Sequence, residues 1–341
     1  PCGAWDDDRM WFEELVGFKE TSGDDVRRRL RVDGEVMTSK VNGRQMRSGT
    51  LALPSLADLR ERTANLGSGP ASLKLRQVVG DAGSLHRDQR NTGALFQAAS
   101  QFNLLEMASQ NVTPESGVTG YQNDPTQGPA CAVASGAGTI LRNYFANVNG
   151  QVGQSATNQI DCLADIAAHL YPTGDPAWTM SNGYAMFDEQ GLAQLNERLA
   201  VMPEADLDEI RSRLRIGVHR NVEVTTASTG HTVTQAYCSA LPVAYNRLPK
   251  ASFEPFARLV LEASYEATLR AAALNAAQTG YHAVFLTMLG GGVFGNDSAW
   301  IIDAIERACT LLSNVPLDVA VVAVVAYRSP SPEAAALVDR T

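Results

Sequence analysis

The sequence predicts an α/β fold with a mixed central sheet covered by helices. The run at 319–327 is rich in β-branched residues and carries no charge, and 282–288 is similarly apolar, so both read as buried strands. Helical stretches at 253–277 and 300–313 alternate with these runs, the order that layers helices over a sheet. A length of 341 residues suffices for one large α/β domain or two modest ones.

Residues 1–70 are charged and turn-rich, with an amphipathic run at 10–18 and a helical stretch at 55–64. They read as an extension packed on the main body, closed by the joint Gly67-Ser68-Gly69-Pro70. The main domain spans 71–330. It opens with a strand at 75–79 ending in Gly80-Asp81, followed by a second apolar run at 94–99. Pro129 suits a first helical turn, so 129–143 reads as one helix. Amphipathic segments follow at 160–170, 192–199 and 207–214, the last two separated by Pro203. Residues 218–225 and 232–238 alternate as paired strands across a Ser-Thr-Gly turn. Gly280 closes the long helix at 253–277, and 331–341 is a loose tail.

Composition narrows the function. The net charge of −9 argues against a broad nucleic-acid surface, while leaving room for a small pocket that takes an anion. No run reaches the roughly 18 apolar residues of a membrane span, and the first residues lack the pattern of a signal peptide, so a cytoplasmic location is expected. Five cysteines without a CxxC pair indicate neither a disulfide framework nor a zinc site, and the five histidines show no ligand spacing.

Two glycine-bearing loops carry the chemistry. Gly290-Gly291-Gly292-Val293-Phe294-Gly295-Asn296 lies between a buried strand and a helix, where backbone N–H groups can approach a phosphate closely. It lacks the Gly-Lys-Ser/Thr of a Walker loop. The segment 117–132 is a second such loop, with Gln127 and Gly128 at the start of its helix. Two loops could grip a diphosphate from both sides. Cys131, at that helix start, offers a different chemistry: a thiol hydrolase with Gln127 nearby and His231 or His282 as base.

These residues resemble a macrodomain, the ADP-ribose-binding fold. Val79-Gly80-Asp81-Ala82 is similar to the family's early strand, whose acid contacts the adenine amino group. Residues 94–103 (ALFQAASQFN) resemble the strand ending in Asn-Ala-Ala-Asn, and 286–296 (LTMLGGGVFGN) the second phosphate loop. By the same likeness, 117–131 takes the place of the first phosphate loop, and Tyr327 that of the aromatic flanking adenine. The likeness covers roughly 73–328. It departs at 104–127, which replaces the usual Gly-Gly-Gly-Val-Asp, and at an insertion over 144–215; the paired glutamates of poly(ADP-ribose) glycohydrolases are absent.

The resemblance implies a three-layer macrodomain-like fold that binds ADP-ribose or an ADP-ribosyl conjugate and hydrolyses it, with no cofactor and no metal. Asn103 would orient the distal ribose. Glu106, Glu115 and Asp124 are the carboxylates near enough in sequence to serve as acid or base; Asp124 leads because it lies in the replaced loop, with Glu115 beside it. The implied ligand contacts are Asp81, Gln127, Gly128, Gly290, Gly291, Gly292, Val293, Phe294, Gly295, Asn296 and Tyr327. A non-catalytic ADP-ribose or nucleotide-derivative binding module is the alternative. The oligomeric state stays open.

Overall fold

The computed structural model describes residues 10–66, 72–324 and 332–340. Among them, seven strands form the main sheet: β1 (Thr50–Ala52), β2 (Lys74–Gly80), β3 (Leu95–Ala99), β4 (Gly217–Glu223), β5 (Thr232–Cys238), β6 (Ala283–Leu286) and β7 (Asp318–Val324). Their order is β1-β4-β5-β3-β6-β7-β2. The five strands from β5 to β2 run parallel, and β4 is antiparallel to both β5 and β1. The sheet is mixed, as the sequence predicts.

Both faces are covered, and alternate residues of one strand show it. On β5, Thr234 Oγ1 donates to Asn275 of the long helix Glu254–Thr279, whereas its neighbour Gln235 reaches the Cys131 carbonyl on the other face. On β3, Gln97 bonds Thr268 of the long helix, and Phe96 stacks on His86 of the helix Ala82–Arg87 at 3.8 Å. Gly280 ends the long helix in the left-handed conformation at φ 76°, a geometry for which glycine has no steric penalty. Helices on both faces of a sheet give three layers.

Two sequence expectations change in detail. The helix expected over 129–143 is two helices, Gln127–Ala134 and Gly136–Tyr144, broken at Ser135. The Gly136 N–H donates to Thr225 Oγ1 and so leaves the helical ladder. The segment 160–170 is helical only over Ala164–Leu170, because Asp161 accepts from the Leu163 N–H and makes a turn ahead of it. The last strand is described to Val324, and Tyr327 lies outside the described residues.

The N-terminal part supplies β1 at the sheet edge and the helix Leu56–Thr63, whose Arg60 pairs with the buried Glu266 of the long helix. Trp11, Phe12, Leu15, Phe18 and Val26 share a second core with Leu105, Tyr121 and Ile140. That core joins the N-terminal segment to the loop that follows β3.

Candidate functional site

The parallel strands end on one side of the molecule, and the loops that leave them surround a cleft of about 800 Å³. Ala99 ends β3 and residues 100–101 follow it, Ala240 follows β5, and 287–294 follow β6; residues 124–129 line the same cleft. Both glycine loops singled out in the sequence therefore face the same space.

The wall is built to meet an anion with backbone dipoles. In the loop after β6, Gly290 takes φ 74°, and a Cβ there would lie 2.5 Å from the Ala240 methyl, so only glycine fits. The loop closes through Gly295 N–H to Gly292 O and Asn296 N–H to Gly290 O. Among the described residues, the amides of Gly292, Val293 and Phe294 have no partner. In the same cleft, the Gln127 and Gly128 amides open the helix Gln127–Ala134, and the Gln127 side chain accepts from the Ala82 N–H at 2.8 Å. No lysine or arginine stands on the described wall.

Beside Gly128 stands Glu106, 6% exposed, delivered by the loop after β3. That loop is tied from several sides. Gln101 accepts from the Met107 N–H at 2.8 Å and donates to the Met107 carbonyl at 3.2 Å, a clamp on the residue next to the acid. The Glu106 N–H donates to Tyr121 Oη at 3.1 Å. Leu104 sits at φ 64°, a left-handed backbone that costs a leucine about 1 kcal/mol or more, while its carbonyl accepts from the buried Arg142.

Burial pushes the Glu106 carboxyl well above the ordinary carboxylate range; the Arg142 guanidinium opposes the rise and the nearby Asp124 adds to it. Oε1 of Glu106 is buried without a partner among the described residues. So is Oδ1 of Asn296, whose Nδ2 donates to the Leu241 carbonyl. Two orphaned polar oxygens lining one cleft mark places where a ligand can complete the bonding. Tyr184, Tyr245 and Phe294 form an aromatic cluster on the same wall, with ring centroids 5.0 to 5.6 Å apart.

The residues named from sequence divide into three groups. Asp124, Gln127, Gly128, Gly290, Gly291, Gly292, Val293, Phe294 and Asn296 line the cleft. Gly295 shapes the turn at φ 73° without lining it, and Asp81 caps the helix Ala82–Arg87 by accepting from the Ser84 N–H. Asn103 and Glu115 are displaced from the cleft. Asn103 is fully buried under the loop, its Oδ1 accepting from Leu105 N–H and its Nδ2 donating to Gln159. Glu115 is exposed and accepts from the Ala156 N–H. Both side chains are used in holding backbone.

Cys131 is buried and its thiol is pushed up by that burial, so a helix start does not make it a ready thiolate. Tyr184, from the hairpin Trp178–Ser181 and Tyr184–Phe187 inside the insertion, had no sequence signal. Glu106 had one: a single carboxylate in the apolar run Leu104-Leu105-Glu106-Met107. Among the described residues no group of three or more His, Cys, Asp or Glu could hold a metal ion, and no helix is long and apolar enough to cross a membrane.

No protein-family model matches the chain, and no curated protein matches it. Among solved structures it is similar to poly(ADP-ribose) glycohydrolase from Thermomonospora curvata bound to the inhibitor ADP-HPD, at 15% identity and a TM-score of 0.45 over 93% of this chain and 96% of that one. It is also similar to poly(ADP-ribose) glycohydrolase from Deinococcus radiodurans in complex with ADP-ribose, at 14% identity and a TM-score of 0.41 over 85% of this chain and 93% of that one.

Proposed function

We propose that the cleft binds ADP-ribose and that the protein hydrolyses ADP-ribosyl conjugates at the distal ribose. The observation that carries this reading is Glu106: a buried carboxyl with an orphaned oxygen, set against Gly128 in a cleft that both glycine loops line. The Gly292–Phe294 amides and the Gln127–Gly128 helix start would share the diphosphate, and Asn296 would offer its orphaned acceptor to a ligand hydroxyl or amine.

The reaction follows from where the proton sits. Burial keeps Glu106 protonated to higher pH than a free carboxyl, the property a general acid needs. Its proton passes to the oxygen leaving the anomeric carbon as that C–O bond breaks. Water adds to the same carbon, and the proton it releases returns to the Glu106 carboxylate, leaving ADP-ribose and the freed partner. We assign the orientation of that water to Asp124, the second carboxylate of the wall.

Calorimetry with ADP-ribose, beside AMP and NAD, tests the ligand; release of ADP-ribose from an ADP-ribosylated substrate tests the reaction. Glu106→Gln is expected to keep binding and to lose at least about a hundredfold in turnover. Binding without turnover in the native protein would make it a binding module. The absence of both binding and turnover would remove the reading.

A further inference from the structure

The N-terminal segment grips one turn of the chain at both ends. The Glu20 carboxylate accepts from the Val118 N–H at 2.9 Å and from the Thr119 N–H at 2.8 Å, and takes the Tyr144 hydroxyl at 2.6 Å. Trp11 Nε1 donates to the Thr119 carbonyl at 3.1 Å, and the Trp11 N–H donates to Gln122 Oε1 at 3.0 Å. The turn between these grips, Thr119–Asn123, carries Tyr121. Tyr121 is 4% exposed, and its hydroxyl receives the Glu106 N–H.

The fit around Glu20 is close. Gly117 takes φ 83°, and a Cβ there would lie 2.3 Å from Glu20 Oε2, so the chain can pass the carboxylate only as glycine. Glu20 lies 98 residues before Val118 in sequence. None of these groups lines the cleft. They act on it through the backbone of the acid.

We infer that Glu20 is a positioning residue for Glu106, acting through the Val118–Thr119 amides and Tyr121, and that the N-terminal segment is thereby part of the hydrolytic site. The inference rests on the role proposed above for Glu106. Its physical content is that a general acid must hold its proton within hydrogen-bond reach of the leaving oxygen, and small misplacements are costly in rate.

Glu20→Gln and Tyr121→Phe, each in the full chain, separate positioning from folding. Glu20→Gln leaves one accepting oxygen where the carboxylate offers two to Val118, Thr119 and Tyr144, and Tyr121→Phe deletes the acceptor of the Glu106 N–H while keeping the ring. Each is expected to lower kcat at least tenfold while leaving the Kd for ADP-ribose within twofold. Hydrogen exchange at the Glu106 amide is expected to accelerate at least tenfold in both. A folded pair of variants with native kcat and native Glu106 exchange would overturn the inference, as would equal losses in kcat and affinity. If Glu20→Gln does not fold, Tyr121→Phe decides. The exchange readout needs no ligand, so it judges Glu20 even where the native protein binds no ADP-ribose, the result that would instead remove the functional reading.

Discussion

Gly128 and Glu106 stand in such close contact that no other residue can replace the glycine without moving the acid. A Cβ on Gly128 would lie 2.6 Å from Glu106 Oε2 and 2.2 Å from the Ala99 carbonyl oxygen. The start of the helix Gln127–Ala134 is thus seated on both the end of β3 and the carboxyl group it faces.

Gly128→Ala is therefore expected to disturb site and stability together. Overpacking of this kind costs about 1–3 kcal/mol. The expected outcome is a lower midpoint in urea with turnover down at least about tenfold, since the methyl meets both the Glu106 carboxyl and the β3 carbonyl too closely for either to stay in place. Native stability and turnover would contradict the packing described.

Glu106→Gln is expected to stabilise the protein while it abolishes hydrolysis. The folded carboxyl binds its proton more tightly than the unfolded one, so its contribution to stability is complete below the unfolded value near 4.5 and declines as pH rises toward the raised folded value. An amide carries no such loss. Thermal melts of both proteins should coincide best in acid and separate as pH rises, with the variant the more stable.

Gly292→Glu isolates ligand binding from folding. Nothing lies within 4 Å of where a Cβ would stand, and the residue is not in the left-handed region, so a side chain has room. A carboxylate set beside the Gly292–Phe294 amides repels a diphosphate. The expected result is an ADP-ribose Kd weakened at least about tenfold with an unchanged melting temperature, whereas Gly290→Ala, strained at φ 74° and crowded by Ala240, should lower the melting temperature as well.

Two buried histidines should contribute to the loss of stability in acid. Burial lowers the His86 imidazole to about 4 and the His219 imidazole to about 3, against an ordinary value of 6.5. Both are neutral in the folded chain, so below pH 6.5 the unfolded chain takes up protons that the folded chain refuses. Stability is full above 6.5 and is lost as pH falls toward 4 and then 3, at about 1.4 kcal/mol per unit of pKa difference. Replacing His219 with Gln, which can still bond the Ser48 carbonyl, should flatten the lower part of that decline in a pH series of urea melts.

Legibility tracked how local each feature is. The strands β5, β6 and β7 and the long helix could be read because their apolar runs are continuous, and the 290–296 loop because glycines leave a mark wherever the backbone must turn tightly. The helix break at Ser135 could not be read, since its cause, Thr225, lies 89 residues away from Gly136. The partners of Asn103 were equally out of reach: its residue type and place suggested ligand contact, and the structure bonds its amide to Leu105 and Gln159. Glu106 was visible as a lone acid among apolar residues, but its raised carboxyl depends on burial, which only the folded chain supplies.

A cleft wall whose described residues include neither lysine nor arginine, in a chain of net charge −9, has a kinetic consequence. Oriented amides hold an anion at contact distance, but their field fades quickly and does not gather anions from solution. A diphosphate ligand should then arrive without electrostatic steering, with an association rate constant that does not fall as ionic strength rises. Tight complexes would be those that leave slowly. Discrimination among nucleotides would show in their residence times.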